Sequence, residues 1–313
     1  MKILVVELSN LGDALLTWPA LSALWAAHPQ AEFHVLASPR TRELFEGDPR
    51  IRRVWFWEKR APIWNQAGVV LRLSLERFGL VVDFRNSLIP LFLLGARRTP
   101  MIRASADGAH RSDHHLALVT ALGIPPAREP APLPFGPEET ARVKTWIRPD
   151  QKVAVLVPGA RSHLKRWSAE GFADVADRLA EEQGAQVVLV GEEAERPIAE
   201  EVQRLMRRPS VDLVGRTTLR ELAALLARSA LVVTNDNAVL HAASAMKVPT
   251  VAVFGPTDER KYGPRAPGSA VIRRALICAP CELALCPYGH ECMKWIEPAE
   301  VSSVASKVLG GHV

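Results

Sequence analysis

The chain predicts an α/β protein of two domains, each built on a parallel sheet, and three observations carry that prediction. Apolar stretches of strand length alternate with stretches of helix length from residue 2 onward. The same alternation restarts near residue 151, and the segment between, 124–137, carries six prolines (Pro125, Pro126, Pro130, Pro132, Pro134, Pro137) with little periodicity. Strands alternating with helices imply βαβ units and parallel pairing, whereas proline opposes the interior of either element. A length of 313 residues, 48% of them hydrophobic, suits two domains of about 150 residues each. The expected limits are therefore 1–150 and 151–313, with the proline segment as linker.

Taken in order, the first half reads as a strand at 3–7, a polar turn at 9–13, a helix at 14–28 and a strand at 32–37. A strand at 52–57, a helix over 66–78 and a strand at 80–83 follow. SLIPLFLLGARR, 87–98, reads as a core helix, because contact with a bilayer would need an exposed apolar face. The second half opens on an uninterrupted apolar strand at 152–157 that ends in Pro158-Gly159. Helices are expected at 169–183, 194–206 and 219–228, with a strand at 186–190. Then comes LVVTNDNAVLHAASAMKVPTVAVFGPTD, 231–258: strand, polar turn, helix, strand, turn. Open parallel sheets bind ligands at the carboxyl ends of their strands, so we expect a cleft shared by the two sheets.

Composition narrows the partners. The net charge is +5, and the excess lies in 1–150, where 19 basic residues face 15 acidic ones. Arg50, Arg52 and Arg53, Arg97 and Arg98, and Arg103 offer guanidinium groups that suit phosphate or an anionic membrane surface, or simply form a solvated basic face. Nucleic acid is not expected, since no recognition motif appears and the basic residues are not interleaved with stacking aromatics. No stretch approaches the roughly 18 apolar residues of a membrane span, and the chain begins on the strand KILVVEL instead of a signal segment. The expected location is the cytoplasm.

Three motifs carry chemistry. In 231–258 the turn Asn235-Asp236-Asn237 follows a buried strand and starts a helix, which makes it an anion site or merely a helix cap. In PGARSHLKRWSAEGFADVADRL, 158–179, a glycine turn leads into a loop with Arg161, Lys165 and Arg166 just before a helix start, a set of cations suited to a pyrophosphate. In LSNLGDALLTWPAL, 8–21, Gly12 allows a tight turn and Asp13 stands at a helix start, where a carboxylate caps the helix or accepts a proton from a hydroxyl. Neither GxGxxG nor GxxxxGK[ST] is present, which argues against a dinucleotide enzyme or a kinase.

These three motifs, in this order and at these separations over nearly the whole chain, resemble bacterial glycosyltransferase family 9, the ADP-heptose:lipopolysaccharide heptosyltransferases. The tail CAPCELALCPYGHECMKWIEPAEV, 278–301, looks like the cysteine-bearing end of many members. The resemblance implies a GT-B fold of two Rossmann-like domains, acceptor on the first and nucleotide-sugar on the second, and inverting transfer of heptose to the lipopolysaccharide inner core at the cytoplasmic face of the inner membrane, with peripheral membrane contact. It implies no required metal cofactor. Asp13 matches the general base and Lys165 the residue that offsets charge on the departing diphosphate. Asp236, Asn237, Ala238 and His241 match the loop that holds the donor, joined by Gly12, Arg161 and Arg166, and Glu193 matches a ribose-binding carboxylate. The implied partners are an ADP-sugar donor and an anionic glycolipid acceptor. One departure stands out: the family usually reads Asp-Thr-Gly or Asp-Ser-Gly where this chain has Asp236-Asn237-Ala238. Other readings remain: transfer of a different nucleotide-sugar, or a non-catalytic nucleotide-binding relative.

Cys278, Cys281, Cys286 and Cys292, spaced C-x2-C-x4-C-x5-C with His290 nearby, are compatible with structural zinc, an iron–sulfur cluster, disulfides or free thiols. His110, His114 and His115 with Asp113 lack a further ligand at suitable spacing, and a surface or acceptor-side loop is expected there.

Overall fold

The computed structural model describes residues 1–93, 95–100 and 108–311; Arg103 lies outside them. The chain divides into two compact units, Met1–Pro132 and Leu133–Val313. Each carries one all-parallel sheet.

In the first unit the strands are β1 (Lys2–Glu7), β2 (Glu32–Ala37), β3 (Ile51–Phe56), β4 (Leu80–Asp83) and β5 (Arg97–Arg98), in the order β3-β2-β1-β4-β5. Ile3, Leu4, Val5 and Val6 of the central β1 are all 0% exposed. Such an unbroken apolar run is what a parallel strand covered on both faces requires. The helix expected over 14–28 is two helices, Leu11–Leu16 and Trp18–Ala27. Pro19 explains the break, since it has no N–H for a helical bond back to the preceding turn and is tolerated only in the first turn. Gly12 consequently lies inside a helix and is not among the glycines with positive φ, so it does not form the tight turn expected of it.

Two further expectations change in this unit. The segment 87–98 is not a core helix: it forms a short 3-10 turn, Ile89–Phe92, followed by β5. Pro90 prevents longer helical bonding, and although Ile89 and Leu93 are buried, Leu88, Leu91 and Phe92 are exposed. The histidine stretch is not a loop but the helix Arg111–Thr120, capped by His110, whose side chain accepts from Ser112 N–H at 3.3 Å.

In the second unit the strands are β6 (Val153–Val157), β7 (Gln186–Leu189), β8 (Val211–Asp212), β9 (Leu231–Asn235), β10 (Thr250–Phe254) and β11 (Ala270–Arg273), in the order β11-β10-β9-β6-β7-β8. The helix Ala169–Gln183 has the limits expected from sequence because both ends are marked. Ser168 Oγ accepts from Gly171 N–H at 3.1 Å, and Gly184 ends the helix at φ 60°; these are the polar N-cap and left-handed glycine that stop a helix. Its apolar face, Phe172, Val175 and Leu179, packs in one core cluster with Leu156, Val187 and Leu189 of the sheet and Val301 and Ala305 of the helix Pro298–Gly310.

The unit boundary falls near 132, not at 150. No helix or strand occupies 121–136, but the helix Pro137–Trp146 belongs to the second unit. Val143 is 1% exposed, and Glu139 and Arg142 pair with Arg220 and Glu221 of the helix Leu219–Leu226 at 2.7 and 2.9 Å.

In both sheets the chain fills one side and then crosses to the other. The crossing points lie between β1 and β4 in the first sheet and between β6 and β9 in the second, the places where open α/β sheets collect ligand-binding loops.

Candidate active site

At the β6–β9 crossing the second unit draws two of the sequence motifs together. Asn235, the last residue of β9, is fully buried. Its Nδ2 donates to the Pro158 carbonyl at 2.8 Å, and its Oδ1 accepts from Trp167 N–H at 3.0 Å, so one side chain pins both ends of the loop after β6. Trp167 is held further by its Nε1, which donates to the Ile296 carbonyl at 3.1 Å. On that loop Lys165 Nζ donates to Asp236 Oδ2 at 2.6 Å, with side-chain exposures of 31% and 6%. An ammonium has three donors, so a Lys165 anchored by one carboxylate keeps others for a ligand.

Asn237 caps the helix Ala238–Ala245. Its Oδ1 accepts from Val239 and Leu240 N–H at 3.0 and 3.3 Å, while its Nδ2 donates to the Gly159 carbonyl at 3.0 Å. Of the two readings of this turn, the structure shows the cap. The Asn237 side chain is thus used to cap the helix and to brace the loop after β6, while a positive helix start and the Lys165 ammonium are groups of the kind that suit an anion. Ala238 opens that helix and His241 is buried within it. Of the other loop cations, Arg166 Nε donates to the Ala160 carbonyl at 2.7 Å and braces its own loop, and Arg161 is exposed on it.

Glu193 begins the 3-10 turn Glu193–Glu195 after β7. Arg196 grips its carboxylate with two bonds of 2.7 and 2.8 Å, and this hydrogen bonding holds its pKa below the usual carboxylate value. Its side chain is still 67% exposed. Gly215, at φ 68°, lies so close that a Cβ would overlap the Glu193 carboxyl. Sequence reasoning passed over Glu195, which sits over the ends of β6 and β7: a Cβ on Gly159 would overlap it, and one on Gly191 would stand 2.9 Å from its Oε2. Burial pushes its carboxyl up. The available signal was the pairing of strand-end glycines at 159 and 191 with the acidic run after the second.

The first unit gathers acids at the β1–β4 crossing. Asp13 lies in the first turn of the helix Leu11–Leu16 and is partly exposed. Glu7, the last residue of β1, is 0% exposed, accepts from Ser9 Oγ with one oxygen and has no partner for the other. Burial pushes its carboxyl up to about 8, Arg85 opposes the shift, and Asp13 and Asp83 add to it. Asp83, paired in register with Val6, accepts from Arg85 N–H at 2.7 Å and Ser87 N–H at 2.6 Å. Glu7 was missed by the sequence reading, although an acid closing an apolar strand is visible in KILVVEL. The basic surface expected here is largely engaged within the unit. Arg50 pairs with Asp48 at 2.7 Å and lies 3.9 Å over Trp25, Arg53 lies 3.8 Å over Trp55, and Arg97 and Arg98 donate to the Leu122 and Pro90 carbonyls.

All four cysteines are free thiols, and together with Leu164, Pro256 and His290 they line a cavity of about 30 Å³. Burial, then the neighbouring thiols, pushes the Cys292 thiol up. Among the described residues no group of three or more His, Cys, Asp or Glu is arranged to hold a metal ion. What the segment does is brace: His290 Nε2 lies 2.6 Å from the Leu164 carbonyl, beside Lys165, and Cys281 and Glu282 N–H donate to the Pro256 carbonyl at 3.0 and 2.8 Å.

Known proteins share this architecture. The chain is 27% identical over 320 residues to a lipooligosaccharide heptosyltransferase 2 of Campylobacter jejuni, covering 98% of this chain and 99% of that one. Among solved structures, a family 9 glycosyl transferase from Veillonella parvula superposes with a TM-score of 0.84 at 20% identity, covering 99% of this chain and 97% of its own. The ADP-heptose lipopolysaccharide heptosyltransferase II of E. coli superposes with a TM-score of 0.80 at 24% identity, covering 99% of each chain. The structural likenesses establish the GT-B fold with its two Rossmann-like domains. With the family model for glycosyltransferase family 9 (heptosyltransferase) matching residues 84–291, the chain belongs to that family and is a glycosyltransferase.

Proposed function

We propose that this glycosyltransferase moves heptose from ADP-heptose to the inner core of lipopolysaccharide, with inversion and without a required metal ion. The observation that carries the donor half is the Lys165–Asp236 pair, 2.6 Å apart beside the start of the helix Ala238–Ala245: a fixed ammonium and a positive helix end suit a diphosphate leaving group. The names of the relatives and the family support the substrates. In this reading the second unit holds the donor, with Glu193 on the ribose, and the first unit holds the acceptor.

The chemistry follows from the groups present. Asp13 takes the proton of the acceptor hydroxyl as its oxygen forms a bond to the anomeric carbon. The bond from that carbon to the diphosphate oxygen breaks with its electron pair, and Lys165 and the positive start of the helix Ala238–Ala245 stabilise the charge gathering on ADP. Attack from the face opposite ADP inverts the configuration.

A lipid-linked acceptor also gives a reason for an unusual surface on the first unit. The helix Ile63–Leu75 exposes Ile63, Trp64, Leu71 and Leu75, and Leu88, Leu91 and Phe92 are exposed on the nearby 3-10 turn. Arg60, Arg72 and Arg77 are exposed in the same region. Apolar side chains flanked by arginines suit the anionic cytoplasmic face of the inner membrane. Among the described residues no helix is long and apolar enough to cross a membrane.

The deciding experiment adds ADP-heptose and a lipopolysaccharide truncated in its inner core to the purified protein, with chelator present, and follows ADP release. Heptosylated acceptor is expected, with release lost in Asp13→Ala while ADP still binds; wild-type rates in Asp13→Ala would overturn the base assignment. Calorimetric titration with ADP, UDP, GDP and NAD reads donor identity separately, and selective ADP binding is expected.

A further inference from the structure

Across the second sheet the donor-site candidates fall in a spatial sequence. Glu193 follows β7, Lys165 follows β6 and Asp236 follows β9, and β7, β6 and β9 are consecutive in the sheet. The next strand is β10, and at its end lies a cavity of about 230 Å³ lined by Ser162, Lys165, Pro256, Thr257, Tyr262, Glu282 and Leu283. A nucleoside diphosphate sugar is a linear array of base, ribose, diphosphate and sugar. With the ribose over β7 and the diphosphate at β6 and β9, the sugar extends toward β10.

The lining suits that group. Thr257 is 8% exposed and its Oγ1 is buried without a hydrogen-bond partner; an unsatisfied buried hydroxyl is costly, and a ligand donor or acceptor in the cavity would relieve it. Glu282 is fixed from two sides: its backbone N–H donates to the Pro256 carbonyl at 2.8 Å, and its carboxylate pairs with Lys261 at 3.0 Å. A carboxylate is an acceptor only, so it matches sugar hydroxyls and repels an acidic sugar. Pro256 and Leu283 offer apolar surface to the C–H face of a ring.

We propose that this cavity holds the sugar being transferred, and that Thr257 and Glu282, the latter contributed by the cysteine-bearing segment, select a neutral polyhydroxylated sugar on the diphosphate anchored by Lys165. This rests on the donor reading above.

The test is calorimetric titration of the full-length protein with ADP and with ADP-heptose, for the wild type, Thr257→Val, Thr257→Ser and Glu282→Gln. Glu282→Gln is expected to weaken ADP-heptose about 10- to 100-fold and Thr257→Val about 3- to 10-fold, by loss of a charged and a neutral hydrogen bond respectively. Thr257→Ser should keep wild-type affinity, and ADP should bind all four proteins alike, which also shows that they are folded. Unchanged ADP-heptose affinity in both Thr257→Val and Glu282→Gln would overturn the proposal, as would an equal loss for ADP, which would assign these residues to the nucleotide. Failure of the wild type to bind ADP at all would instead overturn the donor reading itself.

Discussion

Lys165 and Asp236 depend on each other in a way that separates binding from stability. Asp236 is only 6% exposed, and removing its cation leaves a buried carboxylate uncompensated. Lys165→Ala is therefore expected to weaken ADP binding by about tenfold or more, through loss of a charge-assisted contact, and also to lower the unfolding temperature. Lys165→Ala with Asp236→Asn should recover the unfolding temperature but not ADP affinity; thermal melts and titrations on the same samples read the two effects. Glu7 makes a prediction about pH. Its carboxyl is raised from 4.5 to about 8 in the folded protein, so above pH 4.5 the unfolded chain releases a proton that the folded state retains. Stability is therefore lost as pH rises from about 4.5 to 8, by a few kcal/mol in order of magnitude. Glu7→Gln keeps an acceptor for Ser9 and cannot ionise. Urea unfolding of Glu7→Gln should show a flatter dependence between pH 5 and 8 than the wild type, and equal slopes would exclude a titrating Glu7.

The helix starts and the loops they anchor decide whether the site keeps its shape. Asn237 satisfies two N–H groups at the start of the helix Ala238–Ala245 and also holds the Gly159 carbonyl. Asn237→Ala should cost about 1–2 kcal/mol in unfolding free energy from the cap, while Asn237→Thr, which restores the family's hydroxyl, should recover the cap but not the brace to Gly159. Denaturant titration of the two variants distinguishes these contributions. Gly171 illustrates a constraint seen only in three dimensions, since a Cβ there would overlap the Trp167 ring. The helix Ile63–Leu75, with four large apolar side chains exposed, should carry membrane contact: Trp64→Ser with Leu71→Ser is expected to reduce sedimentation with vesicles of anionic phospholipid while leaving ADP affinity unchanged. Undiminished sedimentation would remove this helix from the membrane surface.

At the scale of the molecule, the boundary near 132 has a direct consequence. The helix Pro137–Trp146 is bound to the second unit by Glu139–Arg220 and Arg142–Glu221 and by the buried Val143. A fragment spanning 133–313 should fold and bind ADP, since it has its own sheet and the Lys165–Asp236 pair. A fragment spanning 151–313, cut where composition and repetition alone place the boundary, should melt at lower temperature because the face of the helix Leu219–Leu226 is uncovered. Equal melting of the two would show that the helix is dispensable.

The sequence by itself determined most of the alternation of strands and helices, because hydrophobic periodicity and marked ends are local: the limits of the helix Ala169–Gln183 and of β4 were legible from Ser168, Gly184 and the run Leu80-Val81-Val82 closed by Asp83. The family, too, was legible in three motifs and their order along the chain. At Pro19 and Pro90 apolar continuity suggests one long helix, whereas the missing N–H breaks it. Tertiary structure alone decided which polar residues work together. Asn235 reaches Pro158 and Trp167, Lys165 reaches Asp236, and Glu282 reaches the cavity beyond β10 across separations of tens of residues or more, and such pairings are set by parallel strand order. The same is true of the buried, neutral-leaning Glu7: its environment comes from β4 and the helix Leu11–Leu16, and burial, the largest cause of its shift, is a property of the packed fold and not of the local chain.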